Sequence, residues 1–337
     1  MSINDWKSKL KGDFVPWLLG ADNPSVRLLT LVDILARPHG SPEVREAKKA
    51  IMTQGLVPRI LAKMHPRGYW ETEERFYTAK YKGTAWQFII LAELAADGED
   101  KRIQAARDFL LEYSQDRDSG GFACRHSGTA GGGSHSEVIP CLSGNLVYAM
   151  IKLGYFYDPR VRRGIDWINR YQRFDDQIPD PARGWPYDRW KMCWDSHTCH
   201  MGAVKALKAL AEIPAGKKSI ASKHTIAAGA EYILKHHVFK RSHNLTKVSR
   251  PGWLRFGYPL MYQTDILEIL GILTRLGYRD ERMQEAIDIV IGSQDEGGRW
   301  ILASTFNGRF QVNVEAKGKA SKWITLNALR VLRSYYG

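Results

Sequence analysis

Hydrophobic positions along the 337-residue chain fall into blocks that recur at a near-constant interval. Apolar, small-residue-rich segments begin near Val26, Gly83, Cys141, Cys199, Thr264 and Ser321, at spacings of 57, 58, 58, 65 and 57 residues. Gly83-Thr-Ala-Trp-Gln-Phe-Ile-Ile-Leu-Ala-Glu-Leu and Trp323-Ile-Thr-Leu-Asn-Ala-Leu-Arg-Val-Leu are apolar on most of a helical circumference. Helices of that kind are buried on most sides. Between them lie segments with one apolar stripe and one charged face, starting near Pro42, Asp100, Asp158, Ser222 and Asp280. Asp100-Lys-Arg, Asp158-Pro-Arg and Asp280-Glu-Arg open three of them alike, and an aspartate there caps a helix and favours its positive end. Pro42 and Pro159 suit a first helical turn. The pattern predicts an all-α fold of six inner helices and interleaved outer helices, in a single domain over residues 1–337.

The links repeat too. Gly68-Tyr-Trp70, Gly120-Gly-Phe122, Gly184-Trp185, Gly252-Trp253 and Gly297-Gly-Arg-Trp300 each follow an amphipathic segment. Glycine permits the tight turn, and the aromatic fills the gap between helix pairs. Gln294-Asp-Glu-Gly-Gly-Arg-Trp300 matches the Q-x-x-x-G-x-W pattern of squalene–hopene cyclases, with Gln115 to Phe122 a looser copy. Over nearly its whole length the chain resembles the α/α toroid of terpenoid cyclases and protein prenyltransferase β subunits. That resemblance implies an (α/α)6 toroid, or barrel, around a central cavity. An open solenoid obeys the same local rules, but six units of this length favour closure.

Composition adds bounds. The formal net charge of +13 points either to an anionic partner or to a solvated basic surface. The four cysteines, Cys124, Cys141, Cys193 and Cys199, are not needed as disulfides in a chain of this size. No apolar run reaches membrane-span length, and the polar start carries no signal-peptide pattern, so a cytoplasmic protein is expected. The basic stretch from Lys235 to Arg250 sits in the longest interval and reads as a solvated loop. A peripheral membrane contact stays open there; no nucleic-acid module surrounds it and no obligate protein partner is evident.

The toroid resemblance places candidate chemistry at the starts of the inner helices, with the helix bodies forming apolar walls. Cys141-Leu-Ser-Gly144 and Cys199-His-Met-Gly202 both read C-x-x-G, one repeat apart, so the thiols should face each other on neighbouring helices. His197, His200 and Cys193 lie close by in sequence. Such a group suits zinc, and helix N-termini favour the thiolate. Cys141-Leu-Ser resembles the cysteine segment of the prenyltransferase zinc site and His197-Thr-Cys its histidine segment, although Ile139 stands where that family has aspartate. Cys199-His200 resembles lanthipeptide cyclases, although Met201 intervenes before the glycine. The expected metal set is Cys141, His197, Cys199, His200 and Cys193, holding Zn2+. Buried cysteines that merely pack are the competing reading, and Cys124 with Cys193 completing a closed structural site is another. The glycine-rich stretch 128–136 reads as a lid or a plain surface loop.

The Asp-x-Asp-Asp acid of squalene–hopene cyclases is missing. Asp195 holds roughly its position in the repeat, and Asp265 opens another inner helix, either as a general acid or as an ordinary cap. Tyr262 joins them as a candidate catalytic residue. Trp86 and Trp194 are candidate wall aromatics for a carbocation or apolar ligand, and Arg255 with Lys322 a candidate clamp for an anionic group. Asp175, Asp176 and Asp180 sit among prolines and read as an acidic turn. The functional expectation is an enzyme acting on a hydrophobic or amphiphilic, isoprenoid-like and even anionic small molecule, assisted by zinc. A zinc-dependent hydrolase or lyase on an unrelated substrate, and a non-catalytic scaffold with structural zinc, are the alternatives.

Overall fold

A computed structural model of the chain describes residues 5–337. Its first helices are α1 (Val15–Leu18), α2 (Pro24–Leu29, continued by a π-helical turn over Thr30–Ile34), α3 (Pro42–Thr53), α4 (Leu56–Leu61), α5 (Thr84–Glu93), α6 (Lys101–Tyr113) and α7 (Pro140–Lys152). They are followed by α8 (Pro159–Tyr171), α9 (His200–Ala211), α10 (Ile220–Lys235), α11 (Ile266–Arg275), α12 (Gln284–Gly292) and α13 (Lys322–Tyr336). The inner helices are α2, α5, α7, α9, α11 and α13, each within two residues of its predicted start. The outer helices α3, α6, α8, α10 and α12 alternate with them. The last inner helix packs back on the first. Lys322 Nζ reaches Asp22 Oδ1 at 2.5 Å and Arg330 Nε reaches Asp33 Oδ2 at 2.8 Å, so ion pairs close the ring. The fold is an (α/α)6 toroid. Among the described residues no helix is long and apolar enough to cross a membrane.

The repeat is chemical as well as geometric. Asp100, Asp158 and Asp280 each accept the backbone N–H two residues on at 2.9 Å, and each pairs with the arginine that supplies it. Three of the five link aromatics are fixed by a hydroxyl on the inner helix that follows them. Trp70 N–H donates to Thr84 Oγ1 at 3.1 Å, Phe122 N–H to Ser143 Oγ at 2.9 Å, and Trp300 N–H to Thr325 Oγ1 at 3.2 Å. The indoles of Trp70 and Trp300 also donate to the carbonyls of Ile60 and Val290. Burying these large rings costs no unpaired N–H, because every such donor has a local acceptor.

Gly144 explains the first C-x-x-G motif. A Cβ there would come within 2.5–2.6 Å of the Lys205 backbone on α9, so glycine lets α7 and α9 pack backbone to backbone. Gly144→Ala should therefore destabilise the fold by about 1–3 kcal/mol through overpacking, read as a lower urea midpoint at unchanged slope. Gly202 meets nothing closer than 3.5 Å, and Gly202→Ala serves as the paired control.

The N-terminal ends of the inner helices do not form an open rim. Loops ahead of α5, α11 and α13 converge there and set Tyr81 against Phe306 with ring centroids 4.3 Å apart, tilted, with Tyr262, Trp86 and Phe310 around them. Asn145 Nδ2 donates to the Met261 carbonyl and Gln263 Nε2 to Tyr81 Oη, fixing this plug to the ring. The central cavity instead opens among the C-terminal ends of the inner helices. The stretch 235–250, expected as a loop, forms a small antiparallel hairpin of β1 (Lys240–Arg241) and β2 (Asn244–Val248). The glycine-rich stretch 128–136 is pinned by Trp185, which stacks on His135 and donates to its carbonyl at 2.8 Å.

Candidate active site in the central cavity

The cavity has a volume of about 1110 Å³. Leu28, Leu29, Val32, Leu267 and Ile272 give it apolar wall, while its acidic and basic side chains occur in equal number. The positive excess of the whole chain is therefore not concentrated here.

Its floor is built by charges on helices that are otherwise apolar. Lys205 and Lys208 of α9 lie one turn apart and both reach Glu268 of α11, at 2.6–2.7 Å and 2.9 Å. Lys208 also reaches Glu93 of α5 at 2.5 Å and sits 4.2 Å over the Tyr148 ring of α7. Burial pushes the Glu268 carboxyl upward, but Lys205 and Lys208 outweigh it and hold the group down at about 2. Three inner helices, α5, α9 and α11, are thus tied by one network of two ammonium and two carboxylate groups, and α7 adds the Tyr148 ring.

Asp265 lies beside that network, at the N-terminus of α11. Its Oδ1 accepts the Glu268 N–H and its Oδ2 the Gly257 N–H, each at 2.8 Å. It is therefore a helix cap, as one of the two expectations held. Those N–H groups favour the carboxylate, yet burial outweighs them and pushes the group up to about 7. A carboxylate has about four lone-pair positions, so two remain for a cavity ligand. Tyr258, also on the cavity wall, stacks on Trp323 at 4.3 Å and keeps its hydroxyl buried without a hydrogen-bond partner. Nearer the mouth, Arg275 pairs with Glu212 at 2.7 Å, while Arg45 and Lys48 are exposed.

Other sequence candidates are dispersed. Asp195 is exposed, with its Oδ1 taking the N–H of Ser196, and does not line the cavity. Tyr262 and Trp86 belong to the aromatic plug, where Trp86 Nε1 donates to the Tyr77 carbonyl at 2.7 Å and Lys80 lies over Tyr262. Trp194 is buried against Trp167 and Tyr187. Arg255 is exposed and Lys322 is buried on Asp22, so the two form no clamp.

Cys141 lies in the first turn of α7 and Cys199 at the N-cap of α9, as predicted. Burial, reinforced by Cys199, pushes the Cys141 thiol up to about 12, and burial raises Cys193 as well. Desolvation thus overrides the thiolate-favouring helix N-terminus expected from sequence. Cys124 is buried with its Sγ 3.5 Å from Glu137 Oε2. Among the described residues no cysteine joins a trio of ligand atoms close enough to share one ion. His197 groups instead with Asp176 and His236, and His200 packs beside them. A second trio, Asp116, Asp118 and His135, lies in a surface turn where Asp116 Oδ2 already takes His135 and Ser119.

Sequence reasoning missed Glu93, Lys205, Lys208, Glu268 and Tyr258. A signal for the charged four was present: a charged residue inside a helix buried on all sides has to be paired or to face a cavity.

Comparison with known proteins finds no matching family model and no matching curated sequence. Comparison with solved structures finds similar chains at low identity. One is a family 76 glycoside hydrolase from a bovine Bacteroides thetaiotaomicron strain, at 13% identity and TM-score 0.49, over 94% of this chain and 68% of that one. Another is a variant of the type II terpene cyclase MstE from Scytonema in complex with geranylgeranyl dihydroxybenzoate, at 15% identity and TM-score 0.42, over 93% and 87%. An apo variant of the same cyclase gives 16% identity and TM-score 0.41, over 94% and 86%.

Proposed function

We propose that this protein is an α/α-toroid enzyme performing acid–base chemistry on an amphiphilic small molecule in its central cavity. One observation carries the reading: a buried carboxyl, Asp265, sits on the cavity wall with its pKa pushed near neutrality. A group poised there can give or take a proton at physiological pH. The Lys205–Glu268–Lys208–Glu93 network fixes the charges around it, so little reorganisation accompanies proton movement. Apolar wall from α2 and α11 takes a hydrocarbon portion, and the ionic floor takes a polar one. This is a more polar ligand than an isoprenoid hydrocarbon alone. Asp176, His197 and His236 do not line the cavity, so the proton step rests on Asp265.

Purified protein is incubated with prenylated aromatic acids, polyprenyl diphosphates and alkyl glycosides, and products are followed by mass spectrometry. Wild type should convert at least one class, with a pH–rate limb near 7. Asp265→Asn should lose about 10²–10⁴-fold in kcat, the range for one acid–base group. Tyr258→Phe should keep or slightly raise stability, since its buried hydroxyl has no internal partner. Equal kcat in wild type and Asp265→Asn, or no turnover of any probe class, counts against the reading.

A further inference from the structure

Away from the central cavity, three segments converge on one point. Asp176 lies in the connection after α8, His197 in the approach to α9, and His236 at the C-cap of α10. An antiparallel bridge pairs Asp176 with His197 along the backbone. The ligand-type atoms form a small triangle. His197 Nε2 and His236 Nε2 are 3.4 Å apart, and Asp176 Oδ1 lies 3.6 Å from the first and 3.9 Å from the second. A circle through those atoms has a radius of about 2.1 Å, the length of a zinc–imidazole bond.

The hydrogen bonds fix which nitrogens carry protons. His236 Nδ1 is 2.7 Å from the Tyr232 carbonyl, and a carbonyl can only accept, so Nδ1 is the protonated nitrogen. Tyr232 donates its one hydroxyl proton to the Thr198 carbonyl at 2.5 Å. Toward His197 Nδ1 at 3.1 Å and His200 Nδ1 at 3.3 Å that hydroxyl can therefore only accept. Both neutral rings then aim bare Nε2 lone pairs at each other and at a carboxylate, an arrangement that calls for a cation between them. Bonds from the far nitrogens to carbonyl and hydroxyl partners are how metal-binding histidines are oriented.

Asp176 is held for the same task. Lys235 Nζ binds its Oδ2 at 2.6 Å and Ser242 donates to its Oδ1 at 2.9 Å. A second, independent sign is His200, whose ring packs 4.4 Å from His236 and whose Nε2 is buried with no partner.

We propose that His197 Nε2, His236 Nε2 and Asp176 Oδ1 bind a divalent transition metal, zinc first, in a three-ligand site that clips the 172–199 connection to α10. Two imidazoles and a carboxylate suit zinc or ferrous iron rather than calcium or magnesium. His197 is 40% exposed, which leaves a solvent-facing position for water. The site stands independently of the reading of the central cavity.

The test uses the full chain and two probes, Zn2+ and Co2+ alone. Equilibrium dialysis with metal analysis should find one ion per chain, with Co2+ giving the visible absorption of a low-coordinate site. His197→Ala and His236→Ala should abolish this uptake. His197 is half-exposed, so its loss leaves the fold intact by circular dichroism. Tyr232→Phe should weaken binding by about 10–100-fold, the effect of losing a second-sphere partner. Affinity should fall as pH is lowered, because protons compete for the imidazoles. Cys141→Ala and Cys199→Ala should bind as wild type does. No uptake by wild type, uptake that survives both histidine substitutions, or loss of uptake in the cysteine variants would overturn the proposal.

Discussion

Glu268→Ala is expected to destabilise the toroid by about 3–5 kcal/mol, read as a lower midpoint in urea denaturation at pH 7. The wild-type carboxylate neutralises two buried ammonium groups, Lys205 at 0% side-chain exposure and Lys208 at 11%. Removing it leaves Glu93 to serve Lys208 and takes away the carboxylate that hydrogen-bonds Lys205. That lysine must then deprotonate or draw water into the ring. The cost belongs to the orphaned charge more than to the pair, so Glu268→Ala combined with Lys205→Met should recover part of the loss. The pH dependence has a definite sign. The folded-state pKa of Glu268 is depressed from 4.5 to about 2. Its contribution is fully present above the unfolded value and is lost as pH falls through that window. Wild type should lose stability on acidification more steeply than Glu268→Ala does.

Asp265 should produce the opposite slope. Its folded pKa is raised from 3.8 to about 7, so between those values the native state holds a proton that the unfolded chain has released. Stability should therefore decline as pH rises from about 4 to about 7, by up to one proton's worth of slope, and level off above. Asp265→Asn cannot titrate and should remove that decline. The substitution also loses a cap hydrogen bond, because an amide cannot accept both the Glu268 and Gly257 N–H groups. The variant should thus be less stable in absolute terms at low pH, and the diagnostic quantity is the slope. Urea midpoints of both proteins at half-unit pH steps give it directly.

The architecture was largely legible because each level repeats the same instruction. Apolar blocks at a period near 58 residues, Asp–x–Arg helix starts and Gly–aromatic links all point to helix pairs; the six inner helices and α3, α6, α8 and α10 begin within two residues of those signals, α12 begins four residues late after a 3-10 turn, and α4 had no such signal. The hydroxyl partners of the link aromatics were not legible, since Thr84, Ser143 and Thr325 lie 14, 21 and 25 residues beyond them. Only the fold reveals that spacing as a contact.

The site was read less well for an identifiable reason. Sequence spacing put Cys141 and Cys199 on adjacent helix starts, and the structure keeps them there. Periodicity does not say which end of a toroid is open. Tyr81, Phe306 and Tyr262 plug the end that was expected to be the rim, so the cavity and its charges lie toward the other end. Asp265 was named from sequence because it opens an inner helix, but whether it was only a cap depended on burial, which the sequence does not print. His197 was singled out among cysteines, whereas its neighbours in space are Asp176 from an acidic turn and His236 from a basic stretch. Each of those had a bland local reading, and only the fold brings opposite charges and imidazoles to one point.

The central claim is that Asp265 titrates near neutral pH on the cavity wall. Infrared difference spectra of wild type minus Asp265→Asn, recorded across the pH range, report the protonated carboxyl directly. A carbonyl band present at pH 5 and lost with a midpoint near 7 is the expected result. A band already absent at pH 5, with the carboxylate ionised as at a surface aspartate, would contradict the account and leave Asp265 as a helix cap alone.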